Sequence, residues 1–379
     1  MSNDTALAAQ EPKTLKTDTL FVNLGPQHPS THGVLRVGLT IDGEMITKAV
    51  PDIGYLHRGT QKLAEVRGYH HCVVLTDRWD YVSAMPNNLV FCLAAEKLMG
   101  LKVPPRADAL RVVMCELNRL ASHLLFFGTY GIDIGAFTPF LYAFREREMI
   151  LDLFEMVCGA RLTYNYIRLG GVMVDVTPEW LAKTKEFLDY FKPRLDEYDT
   201  LLSFNPIFMA RTQEVGLISA EKAVNWGLSG PNLRGSGVNY DVRKNDPYSG
   251  YEHYDFDVPL GKTGSCWDRY YCRVQEMRQS VRILEQALAM LPHGEVSATG
   301  VAKVPKPPSG ESYAHVEGSR GDLGIFLVSD GQASPYRMHV KAPSFLNLAI
   351  LQEILVGNKV SDVIAILGSV DIVLGEVDR

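Results

Sequence analysis

The segment Gly25-Pro26-Gln27-His28-Pro29-Ser30-Thr31-His32-Gly33-Val34-Leu35-Arg36 constrains the fold most, because it cannot be helical. Pro29 drives His28 toward an extended conformation, and Pro26 and Gly33 punctuate the two ends. On either side the pattern turns to strand. Thr19–Leu24 leads in, and Leu35, Val37, Leu39 and Ile41 alternate with Val34, Arg36, Gly38 and Thr40 on the way out. The histidines therefore ride the tip of a β-hairpin, from which a loop can be pushed into a cleft. Two plainer readings compete: a zinc half-site and a satisfied turn. The His-x-x-x-His spacing suits one helix face, and no third ligand stands nearby.

A chain of 379 residues with 46% hydrophobic content can bury a large core. Its mean hydropathy of −0.03 fits a soluble globular protein. The net charge of −6 gives no basis for nucleic-acid binding. No apolar run reaches membrane-spanning length. Ala109–Phe127 is broken by Arg111, Glu116, Arg119 and His123, and Phe345–Leu374 by Glu353, Lys359 and Asp362. Residues 1–17 read as a disordered tail without a leader pattern, on a protein made and kept in the cytoplasm. The six cysteines (72, 92, 115, 158, 266 and 272) contain no CxxC. Most read as small core residues, so no metal and no redox centre is expected on this chain alone.

The expected fold is α+β: a small N-terminal antiparallel β-sheet with the histidine loop (18–59), a central helical bundle (60–292), and a C-terminal α+β segment (293–379). Asp42-Gly43 is a hairpin turn. Leu110, Val113, Leu117, Leu120 and Leu124 recur at helical spacing, and Phe140–Ala160 continues the style. Thr177-Pro178-Glu179 starts a helix that Pro193 should kink or split. Ser265-x-x-Asp268 opens the clearest helix, whose Trp267–Leu291 seam belongs to a bundle core. Gly227–Tyr254 reads as a long ordered excursion. Gly324–Ser329 and Tyr336–Lys341 should pair as strands, followed by helices near 345–356 and 360–367. Gly261-Lys262-Thr263 mimics the end of a P-loop, but Phe256 stands where its first glycine is required.

Four stretches carry a resemblance: GPQHPSTHGVLR (25–36), IGYLHRGTQKLAE (53–65), ASHLLFFGTYGIDIGA (121–136) and ILGSVDIVLGEVDR (366–379). Together they closely resemble the D-subunit family of respiratory complex I, from about residue 18 to the C-terminus. That family is itself similar to the large subunit of nickel–iron hydrogenases. The resemblance implies a hydrogenase large-subunit-like fold and a catalytic-core subunit of a proton-pumping NADH:quinone oxidoreductase. Its partners would be the B, C and I subunits and the membrane-embedded H subunit, with iron–sulfur clusters and flavin held by partners. The chain would lie peripherally on the cytoplasmic face of the bacterial cell membrane, reaching the membrane surface through those partners.

Quinone reduction delivers two electrons and two protons to two carbonyl oxygens, so it needs proton donors at a flat apolar slot. By resemblance, His32 and Tyr81, the latter in Asp77-Arg78-Trp79-Asp80-Tyr81, are the head-group ligands. Asp133 pairs with the loop histidine and relays its charge toward the membrane arm. His28 and Thr129 border the site. Arg58 and Arg78 face a terminal iron–sulfur cluster on the B subunit. Without the resemblance, Tyr81 reads as an ordinary half-buried tyrosine, Asp133 as a cap or turn former, and the arginines as members of surface salt bridges. Hydrogenases place four metal-ligand cysteines where this chain has Asp80, Ser83, Val373 and Glu376, so no nickel–iron centre can be held. Gly159–Tyr164 lacks the histidine that family members often carry there, which favours menaquinone as acceptor. The rival readings are a subunit of a hydrogenase-related membrane complex with another donor, and a non-catalytic assembly subunit.

Overall fold

The protein is described here by a computed structural model covering residues 18–28, 31 and 33–379. His32 and the tail therefore lie outside the described residues. Leu20–Leu24, Arg36–Asp42 and Met45–Asp52 form an antiparallel sheet with Arg36–Asp42 in the middle. Asp42 pairs with Met45 across the expected Asp-Gly turn, where Gly43 takes φ 60°. Between the first two strands the histidine loop closes on a two-residue ladder, Gln27–His28 against Gly33–Val34. The inward side chains Val37, Leu39, Ile46 and Ala49 pack with Ile350, Leu351, Ile366 and Leu374 from the C-terminal region.

The bundle is built on Ala84–Met99, Pro105–Asp133, Thr138–Cys158, Pro178–Tyr198 and Cys266–Ala289. Pro105–Asp133 is its central helix, buried at every residue from Ala109 to Leu124. Cys266–Ala289 opens with the expected capping box between Ser265 and Asp268. The Asp268 carboxylate also accepts the Lys262 and Thr263 N–H groups, at 3.1 and 3.0 Å. The P-loop mimic is thus consumed in capping a helix. Pro178–Tyr198 is not split at Pro193; it runs on to Tyr198 and passes into the wider turn Asp199–Ser203. Its face Phe187, Phe191, Leu195 and Tyr198 stays buried, and that packing offsets the backbone bond the proline removes.

The C-terminal region holds a three-stranded antiparallel sheet, not the expected pair: Gly310–Gly318, Gly321–Ser329 and Arg337–Lys341, with Gly321–Ser329 central. Ser312 Oγ donates to the Ala94 carbonyl at 2.7 Å, fastening the sheet to Ala84–Met99. Short helices follow at Pro343–Ala349, Leu351–Ile354, Val363–Val370 and Leu374–Asp378. The last returns to the start of the chain, where the Gly54 and Leu56 N–H groups donate to the Asp378 carboxylate at 2.8 and 2.7 Å. No helix among the described residues is long and apolar enough to cross a membrane.

Candidate functional site

Residues far apart in sequence converge on the stretch from Gly368 to Glu376. The histidine loop arrives first. Thr31, fully buried, donates through Oγ1 to the His28 and Gly33 carbonyls at 2.7 and 2.8 Å, holding the loop closed. At Gly33 the loop lies against Leu374, so closely that a Cβ there would meet Leu374 Cδ1 at 2.8 Å. His28 is half-buried beside it. Tyr81, half-buried after the helix Tyr69–Thr76, reaches the neighbouring position: a Cβ at Gly375 would stand 3.4 Å from Tyr81 Cδ1 and 2.7 Å from the Trp79 carbonyl oxygen. Burial, then the Asp80 charge, raises the Tyr81 phenol above its ordinary pKa. It therefore stays a hydrogen-bond donor at neutral pH.

Asp133 closes the central helix one turn beyond Thr129. Its carboxylate abuts Gly368, where a Cβ would lie 2.8 Å from Oδ2. Thr129 spends its hydroxyl on the Leu125 carbonyl at 2.9 Å. Arg58 and Arg78 are both exposed. The Arg58 N–H donates to the Arg379 carbonyl at 3.4 Å, and the Arg78 carbonyl faces Gly375.

Beneath these residues lies an ion cluster. Arg320, 1% exposed, pairs through Nη1 with Asp80 and through Nη2 with Asp371, both at 3.1 Å, and also donates to Ser122 Oγ. Arg273 meets the other Asp371 oxygen at 3.3 Å. Ser83 and Ser319 share a hydrogen bond of 2.8 Å. Ser344 ties the C-terminal side together: its N–H donates to Glu376 at 3.0 Å and its Oγ accepts the Val373 N–H at 3.3 Å. The positions 80, 83, 373 and 376 thus adjoin one buried polar network. Burial, then the Asp80 charge, raises the Glu376 carboxyl to about 7.

The family described as "Respiratory-chain NADH dehydrogenase, 49 Kd subunit" matches residues 133–306 and 299–379. A Desulforamulus reducens protein, named as the D subunit of NADH-quinone oxidoreductase, is 53% identical over 365 residues, spanning 96% of this chain and 100% of its own length. Proteins of the same name from Bacillus anthracis and Bacillus cereus are 52% and 51% identical, with the same coverage. The chain belongs to the family of NADH-quinone oxidoreductase D subunits. It is accordingly a subunit of an oxidoreductase complex, and the other subunits of that complex are its partners.

A second ionic feature lies deeper in the fold and has no contiguous signature in the sequence. Glu116, Arg119, Arg234, Asp241, Arg243, Glu276, Glu317 and His123 are all essentially unexposed. Arg234 bridges Glu276 and Glu317 at 2.7 Å each, Arg243 bridges Glu116 and Asp241 at 3.0 and 2.7 Å, and His123 Nε2 meets Glu276 at 3.0 Å. Burial pushes Glu116 up, but Arg119 and Arg243 outweigh it and hold the carboxyl at about 2. Burial dominates at Glu317, whose pKa rises, and at His123, whose pKa falls. Each shift is toward the neutral form, the direction burial imposes on a charged group. The available signal was Glu116 and Arg119, an opposite-charge pair at i,i+3 within the apolar run of the central helix.

Proposed function

We infer that this protein forms, with the B subunit, the head-group end of a quinone-reducing site in a complex that carries electrons from NADH to quinone and pumps protons. The observation that carries the reading is the convergence on Gly368–Glu376 of the histidine loop, Tyr81, Asp133 and the Arg320 cluster. The relatives' shared name, that of an NADH-quinone oxidoreductase component, supports the same chemistry. In this reading the terminal iron–sulfur cluster of the B subunit delivers two electrons singly. Tyr81 hydrogen-bonds one quinone carbonyl and His32 the other, and each gives its oxygen a proton, so that two electrons and two protons yield the quinol. Asp133 takes up the histidine's charge change and passes it toward the membrane arm, with Thr129 and His28 bordering the site. Arg58 and Arg78 lie beside the cluster as fixed cations, which raises its reduction potential.

The C, I and H subunits complete the surroundings, the flavin and the other clusters sit in partners, and menaquinone is the favoured acceptor. The chain would then rest on the cytoplasmic face of the cell membrane through those partners. The test is Tyr81→Phe in the assembled complex. One lost hydrogen bond should weaken quinone binding by roughly threefold to tenfold, while NADH still reduces an artificial acceptor and the terminal cluster at the normal rate. Unchanged quinone kinetics would remove Tyr81, and with it this arrangement of the site.

A further inference from the structure

Away from that site, Thr138–Cys158 and Pro178–Tyr198 leave a groove of about 520 Å³ open between them. Its floor is apolar. Leu153 and Phe187 belong to the core, whereas Met156 is 41% exposed. The lining residues recur at 149, 152, 153 and 156 on one helix and at 183, 186 and 187 on the other. That is the spacing of a helix-packing seam, and no third helix among the described residues is seated in it. The walls are acidic. Glu148, Asp152 and Glu155 share Arg161, with contacts of 2.5 Å to Asp152 and 2.9 Å to Glu155, and Glu148 also stands 4.0 Å from Arg147. Lys183 is paired with Glu179 at 3.0 Å, and Glu186 adds a further exposed carboxylate to the lining. Five carboxylates therefore meet three cations, Arg147, Arg161 and Lys183, along an exposed apolar slot.

We propose that this groove seats a basic amphipathic helix from a neighbouring protein of the complex. Its apolar side chains lie on Met149, Leu153 and Met156, and its Lys and Arg side chains lie along the acidic rim. The charge selects the occupant. Anionic lipid headgroups would be repelled by the rim, and a second copy of this chain would bring the same acids against each other. The floor suits a helix, since methionines repack around knobs of different shape and a groove between two helices accepts a third at i, i+3, i+4 and i+7. The groove is independent of the quinone site, so the two assignments can fail separately.

A photo-reactive residue placed at Met156 in the assembled complex tests it, with the captured partner sequenced by mass spectrometry. The expected product joins Met156 to another protein of the complex, within a segment of helical apolar periodicity that has more Lys and Arg than Asp and Glu. Glu155→Lys combined with Glu186→Lys should reduce retention of that partner by about tenfold at low salt, with a smaller effect at high salt. Absence of a product overturns the proposal. So does capture of lipid, of a second copy of this chain, or of a segment with no basic excess, and so does full retention by the charge-reversed protein.

Discussion

Replacing Glu376 by Gln should stabilise the protein above neutral pH and bring no gain in acid. Glu376 is 1% exposed, its carboxyl accepts the Ser344 N–H at 3.0 Å, and burial with the Asp80 charge raises it to about 7. In an unfolded chain a glutamate titrates near about 4.3. A carboxyl that ionises less readily when folded begins to cost stability once the unfolded state loses its proton, from about pH 4 upward. The cost is complete above about pH 7. A gap of between two and three pKa units, at about 1.4 kcal/mol each, is on the order of 3 kcal/mol. Glutamine preserves the volume and the carbonyl that accepts from Ser344, and it has no proton to lose. Its amide must find an acceptor, so the net gain should be on the order of 1–3 kcal/mol at about pH 8. Urea unfolding of the purified chain from about pH 5 to about pH 8.5 measures it as a separation between variant and wild type that widens with pH. Parallel curves, or a variant less stable at the alkaline end, would refute the picture of a buried acid driven toward neutrality beside Asp80.

Arg320→Met should cost about 3–5 kcal/mol, because Asp80 loses its guanidinium and Asp371 keeps only Arg273; thermal unfolding measures the loss, and adding Asp80→Asn should recover part of it. Gly368→Ala puts a Cβ 2.8 Å from both Asp133 Oδ2 and Tyr130 Cδ2. That crowding should cost about 1–3 kcal/mol and depress quinone reduction, whereas full activity would detach Asp133 from the site. If the proposed relay holds, Asp133→Asn removes the carboxylate that would favour the His32 imidazolium, so the basic limb of the pH–rate profile should move toward acid. A wild-type profile at full rate would return Asp133 to the role of a turn former.

The local elements were legible wherever pattern and partner coincide. Asp42-Gly43 and the alternation of Val37, Leu39 and Ile41 give the N-terminal sheet, and Ser265-x-x-Asp268 gives the start of Cys266–Ala289. The strand Gly310–Gly318 escaped because its buried end reads Val316-Glu317-Gly318, and the Glu317 carboxylate goes inward to Arg234. That breaks the alternation on which strand recognition depends. The same limit hid the buried ions of the central helix. Arg111, Glu116, Arg119 and His123 interrupt an apolar run, which speaks against a membrane span. Their burial depends on Glu96, Arg243, Glu317 and Glu276, which no local window contains. Tyr81, Asp133 and the histidine loop could be singled out by resemblance, but their meeting on Gly368–Glu376 is a property of the fold.

That meeting depends on a bend at Asp371. The helix Val363–Val370 ends there with φ 56°, a left-handed conformation that costs a non-glycine residue about 1 kcal/mol or more. The side chain of this residue is gripped by Arg320 and Arg273, and the Asp371 carbonyl accepts a further bond from Arg320 Nε at 3.4 Å. Charge-assisted contacts of this kind offset the backbone cost. The bend then sets Gly368 against Asp133 on one side, and Leu374 and Gly375 against the loop and Tyr81 on the other. Arg320 lies between Asp80 and Asp371, so the guanidinium that answers the Asp80 charge also fixes this turn. Arg320 acts through Asp371 on groups it does not touch, so its loss should disturb Tyr81 and Asp133 together.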